Sequence, residues 1–166
     1  MDLNSETLPN TEKTKLTVLH FAISDYRFCI DISYIKQLVD LVFLQTVPGT
    51  PIYFKGLMNF HGQEIPVIDL ATYLNISNKD QYDLNCKIIL CNDGQHDLGL
   101  IVDEIVGLET IRRESIQAQE LCQHDFSTFL EGAIITKQEE LLVLNIAKII
   151  THVSSKDQNS EKQSSE

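Results

Sequence analysis

Leu16 to Leu38 reads LTVLHFAISDYRFCIDISYIKQL, and Cys86 to Leu108 reads CKIILCNDGQHDLGLIVDEIVGL. Set seventy positions apart, the two stretches place apolar residues alike. Val18 meets Ile88, Phe28 meets Leu98, Ile30 meets Leu100, Ile32 meets Val102, Ile35 meets Ile105 and Leu38 meets Leu108. Ser24, in a Ser24-Asp25 turn, meets Gly94. Further along the offset becomes seventy-six: Gly56 meets Gly132, Val67 meets Val143, Asp69 meets Asn145 and Ala71 meets Ala147. The added residues are expected within Gln117–Phe129. Hairpin, short helix, Gly-led strand and terminal helix thus occur twice in one order, which predicts an internal duplication.

Most of the signal around these stretches is β. Ile65 to Leu70, Leu130 to Ile135 and Leu141 to Leu144 are further short apolar runs. Asn92-Asp93-Gly94, His61-Gly62 and Lys137-Gln138 punctuate them, the pattern of a barrel or sandwich. Short helices are expected at Ser33 to Leu38, Ala71 to Leu74 and Ile146 to Ile150. NISNKDQYDLN, residues 75–85, reads as a polar linker between lobes at about 16–74 and 86–150. Residues 1–15 and 151–166 are polar tails expected to be disordered. Lobes of about 65 residues are marginal alone, so they should share an apolar interface whose rim leaves a groove for a partner helix.

The formal net charge is −11. That balance argues against nucleic acid, whose phosphates call for Lys and Arg, and against an anionic membrane surface. No apolar run reaches the roughly 20 residues of a spanning helix. The start, MDLNSETLPN, is too polar for a signal peptide, so a cytoplasmic protein is expected. Cys29, Cys86, Cys91 and Cys122 form no C-x-x-C pair and read as reduced thiols, mostly in strands.

Catalytic motifs do not emerge. His20, His61, His96, His124 and His152 show no metal-ligand spacing, and no nucleophile elbow or phosphate loop is present. No catalytic, cofactor or metal residue is assigned. Asp69 could be a catalytic carboxylate, or the N-cap of the helix at Ala71; Asn145, another capping residue, holds the matching position and favours the cap. A hydrolase with a His61–Asp69 dyad would need that carboxylate free. Asp103-Glu104 should end a strand and begin a turn. Gly56, Gly62, Gly99 and Gly132 mark bulges, corners or close backbone approach. Leu38-Val39-Asp40-Leu41-Val42-Phe43-Leu44 carries one charge and no clean alternation. Either a buried strand or a strand with one face covered by a partner explains it.

Pro48 to Leu70 reads PGTPIYFKGLMNFHGQEIPVIDL. This resembles the motif of CheW-like proteins, P-x-x-P, then G-x-x-N-x-R-G, then P-x-x-D-L, at Pro48, Pro51, Gly56, Asn59, Gly62, Pro66, Asp69 and Leu70. Gly99 to Leu108 resembles the family's G-x-x-V-D-x-V segment, and the likeness covers about residues 16–150. It implies a mainly β fold of two interlocked SH3-like five-stranded barrels with short helices. It also implies a non-enzymatic adaptor between a chemoreceptor's cytoplasmic tip and a CheA-type histidine kinase, brought to membrane receptor arrays by its partners. No receiver, kinase or dimerisation domain accompanies the match, so neither a CheV-like protein nor the kinase is expected. The kinase is expected at Val39, Leu41, Val42 and Phe43. The receptor is expected in a groove bordered by Ile35 and Gly56 of one lobe and Ile88 and Gly99 of the other, with His61 beside it. His61 stands where the family usually has Arg; this departure leaves room for a divergent adaptor of a twitching-motility or other chemosensory array.

Overall fold

The computed structural model describes residues 14–77 and 81–164. The N-terminal tail, 1–15, lies almost wholly outside them. The chain runs β1 (Lys15–Ile23), β2 (Tyr26–Asp31), a 3-10 turn (Ile32–Tyr34), β3 (Ile35–Asp40), β4 (Phe54–Phe60), β5 (Gln63–Asp69) and α1 (Leu70–Tyr73). It continues with β6 (Lys87–Asn92), β7 (Asp97–Val102), β8 (Glu104–Arg112), β9 (Gln117–Ala118), β10 (Leu130–Ile135), β11 (Glu140–Leu144) and α2 (Ile146–Ser164).

The duplication is present in three dimensions. One sheet has the order β8-β1-β2-β11-β10-β9 and the other β3-β6-β7-β5-β4. Each hairpin has crossed over. β1–β2 lies among strands of the second half, and β6–β7 among strands of the first. β2 pairs in parallel with β11, as β7 pairs with β5. Sheet membership therefore does not divide at residues 75–85. The chain is mainly β with few helices, the SH3-like fold expected; its two sheets have six and five strands in open order. The sixth strand, β9, belongs to the longer segment of the second half. Its counterpart in the first half is a single bridge, Gln45 to Leu57.

Both faces of each sheet are used. Period-two alternation sends Leu19, Phe21 and Ile23 of β1 into a large core between the sheets, together with Ile89 and Cys91 of β6 and Ile149 and Ile150 of α2. The other face of the five-stranded sheet encloses Met58, Ile65, Val67, Ile88, Leu90 and Ile101. That of the six-stranded sheet encloses Leu16, Val18, Cys29, Leu141 and Val143. Burial pushes the thiols of Cys29 and Cys91 up to about 12, so both stay protonated core side chains at neutral pH.

Two glycines let the sheet edges close up. A Cβ on Gly132 would sit 2.0 Å from the carbonyl oxygen of Gln117, and one on Gly56 would sit 2.5 Å from that of Gln45. The segment between β9 and β10 is tied down by rings. His124 stacks on Phe126 with centroids 5.0 Å apart, and Tyr26 meets both edge-on.

Two helix expectations change. Ser33 to Leu38 is not a helix: the 3-10 turn is followed at once by β3, because Ile35 to Asp40 pairs with β6. Ile146 to Ile150 is only the start of α2, and the chain past 151 continues as helix to Ser164. Ile146, Ile149, Ile150 and Val153 recur at helical spacing and are buried. Their packing anchors the first two turns, and these nucleate the rest of the helix.

Candidate partner-docking surface

The motif residues that looked chemical are used for local structure. Asp69 is buried; its Oδ1 accepts from the backbone N of Ala71 at 3.0 Å and its Oδ2 from the Tyr82 hydroxyl at 2.7 Å. It is the N-cap of α1, a role that contributes about 1 kcal/mol. Asn145 does the same for α2, its Oδ1 accepting from Lys148 N at 3.1 Å. His61 sits at the far end of β5 in an exposed two-residue turn, with φ of 50° followed by 82° at Gly62. Six strand residues, 63–68, separate this turn from Asp69, roughly 20 Å at 3.3 Å per residue. The His61–Asp69 dyad does not assemble. Asp103 bends the chain between β7 and β8, and its Oδ2 accepts from Ser24 N at 2.7 Å.

The apolar stretch after β3 resolves into two faces. β3 is an edge of the five-stranded sheet. Val39 lies opposite Ile88, and Asp40 lies opposite Lys87, with which it forms an ion pair. Beyond Asp40 the chain leaves the sheet. Leu41 and Leu44 turn inward, and with Val39 they pack on the Ile88 cluster. Val42 and Phe43 turn outward, and Phe43 is 91% exposed. The segment is not a buried strand: Val39 and Leu41 face inward, and Val42 and Phe43 face outward.

The expected groove does not form from its expected residues. Ile35, Gly56, Ile88 and Gly99 belong to β3, β4, β6 and β7 of the same sheet, not to two lobes. Ile88 is fully buried, and a Cβ on Gly99 would lie 3.0 Å from Val67 Cγ2 and 3.1 Å from Ile88 Cγ2. Gly56 is buried under Gln45, and Ile35 packs half-buried on the large core. The physical reason is the hairpin exchange, which brings β6 and β7 beside β3, β4 and β5. A real concavity of about 300 Å³ lies elsewhere, lined by Ile52, Thr72, Asn75, Ile76 and Ser77. A second, of about 230 Å³, shares Asn75 and Ile76 and reaches Tyr26 and Phe126. Ile52 is 66% exposed at its border. Ile76, an apolar residue in the polar stretch 75–85, is the sequence signal for this region.

The molecule is thus a duplicated pair of exchanged SH3-like sheets in which the motif residues serve as caps and turns. The CheW-like domain family matches residues 17–154, and the chain belongs to that family. It is 31% identical to the chemotaxis protein CheW of Bacillus subtilis, over 81% of this chain and 84% of that protein. It is 26% identical to the chemotaxis protein CheW of Thermotoga maritima, over 84% of this chain and 91% of that protein. The crystal structure of the scaffolding protein TtCheW from Thermoanaerobacter tengcongensis superposes with a TM-score of 0.72 at 26% identity, covering 78% of this chain and 88% of that one. The cysteines are free, and no helix among the described residues is long and apolar enough to cross a membrane.

Proposed function

We propose that the chain is a non-enzymatic adaptor that couples chemoreceptors to a CheA-type histidine kinase, acting in the cytoplasm and recruited to receptor arrays by its partners. The observation that carries this reading is Phe43, a large apolar side chain held 91% exposed just beyond a sheet edge. Exposed aromatics of this kind are what a protein partner desolvates. Membership of the CheW-like family supports the class of function. The kinase face is Val42 and Phe43, backed by Val39 and Leu41. The receptor's helix hairpin takes the concavity bordered by Ile52 and Ile76, a shape suited to a helix laid in a groove. His61, exposed at the tip of the β4–β5 hairpin, contacts the receptor where the family has Arg.

The test is co-sedimentation of the full chain with receptor-containing membranes and the CheA-type kinase of the same cell. Phe43→Asp is expected to lose kinase recruitment while the chain still sediments with receptor. Ile52→Asp is expected to do the reverse. A natural protein that binds no kinase and no receptor from its own cell overturns the adaptor reading.

A further inference from the structure

The concavity bordered by Ile52 has a wall built on one turn of helix. Thr72, Asn75, Ile76 and Ser77 line it, and all belong to α1 or to the turn that ends it. A helix of four residues forms too few internal hydrogen bonds to hold its own shape, so its ends decide its geometry. The C-terminal end is closed by the chain itself. Asn75 adopts a left-handed φ of 60°, its N–H donates to the Thr72 carbonyl at 3.1 Å, and that of Ile76 donates to the Ala71 carbonyl at 2.8 Å. The N-terminal end hangs on Asp69.

Asp69 is a carboxylate at 3% exposure, and both its oxygens need donors. Oδ1 accepts from Ala71 N at 3.0 Å and, more weakly, from Thr72 N at 3.5 Å. Oδ2 accepts from the Tyr82 hydroxyl at 2.7 Å, a donor from outside the helix. The second half shows why that donor matters. Its cap, Asn145, is only half-buried, carries no charge and serves a helix of nineteen residues. The ring of Tyr82 packs against the cluster around Met58 and Ile65, which fixes where the hydroxyl points. Desolvation, and then the bond to Asp69, push that hydroxyl well above the ordinary tyrosine range, so it stays a donor at physiological pH.

Resting on the groove reading above for its occupant alone, we infer that Tyr82 is a positioning residue for the concavity: through Asp69 it sets α1, and α1 sets the wall. Without the hydroxyl, Oδ2 is a bare charged oxygen away from water, and the carboxylate gains by turning toward solvent or by drawing water in. Either movement takes Oδ1 off Ala71 N and loosens the first turn. The far side of α1 stays held, since Tyr73 hydrogen-bonds His152 Nδ1 at 2.6 Å and meets Tyr53 edge-on with centroids 4.9 Å apart. Loss of the hydroxyl thus reshapes the wall locally and leaves the fold intact. The linker does more than join two halves.

The experiment compares the full natural chain with Tyr82→Phe, which keeps the ring and removes only the hydroxyl. Hydrogen exchange read by NMR is expected to be about tenfold faster at the Ala71 and Thr72 amides, and within about twofold at Ile89 and Leu100, which face each other inside the five-stranded sheet. Co-sedimentation with receptor-containing membranes of the same cell should weaken about threefold, while Kd for the CheA-type kinase stays within about twofold. Unchanged exchange at Ala71 and Thr72 overturns the positioning role and leaves the groove reading standing. Exchange that speeds up equally across the sheet overturns it too, since Tyr82 would then serve stability alone. Faster exchange confined to α1, with full receptor binding retained, upholds the positioning role and overturns the receptor groove instead.

Discussion

At Gly132 the absence of a side chain decides whether an edge strand can form. The carbonyl of Gln117 occupies the space a Cβ would need, at 2.0 Å, and the contact is with backbone, which cannot step aside. Gly132→Ala should lower stability by about 1–3 kcal/mol in urea unfolding, a typical overpacking cost. Gly99 is crowded by side chains instead, Val67 Cγ2 at 3.0 Å and Ile88 Cγ2 at 3.1 Å, so Gly99→Trp would have to displace buried core residues and should lower stability. Asp93 gives a pH-dependent case. The backbone N–H of His96, at 2.7 Å, and that of Gln95, at 2.9 Å, hold its carboxyl below the ordinary carboxylate value. A lowered value means the stabilisation is present above the unfolded carboxylate range and is lost as pH falls through the folded one. Asp93→Ala should cost about 1 kcal/mol at pH 7 and much less near pH 3, read from unfolding at both pH values. An equal cost at both would show that the charged form is not what the turn binds.

At the scale of elements, β3 and α2 show where pattern was ambiguous. Ile32, Ile35 and Leu38 are spaced like a helical stripe, yet the chain makes one 3-10 turn and a strand. Pairing along β6, with Val39 opposite Ile88 and Leu38 opposite Ile89, outweighs the local preference. In α2 the same kind of spacing is true to the structure, since Ile146, Ile149, Ile150 and Val153 all face the core between the sheets. Ile149→Ala should lower stability by about 2–4 kcal/mol through the cavity it leaves. Chemical denaturation measures this, and a change under about 0.5 kcal/mol would mean that α2 is peripheral to the core.

At the scale of the molecule, the exchanged hairpins make the halves interdependent. β1 lies between β2 and β8, and β2 lies between β1 and β11, so the first hairpin has its sheet neighbours in the second half. Residues 1–80 expressed alone should show no cooperative unfolding. Mixed with residues 81–166, they should recover a single transition. A cooperative transition in the first fragment by itself would show that the hairpin can fold back onto β3, β4 and β5.

The duplication, the caps at Asp69 and Asn145 and the crowded glycines were legible in the sequence, because each rests on spacing or on a residue type that few others replace. The choice of partner for each hairpin was not. A period of two tells which face of a strand is buried but not which strand lies beside it, and two similar repeats satisfy the pattern whether each hairpin stays with its own half or is exchanged. For the same reason Ile88 looked available to a partner. Burial of Ile88 depends on β6 joining β3, and exposure of Phe43 on where β3 stops. Only the tertiary structure decides both, since long-range pairing sets them and no local stretch of chain contains it.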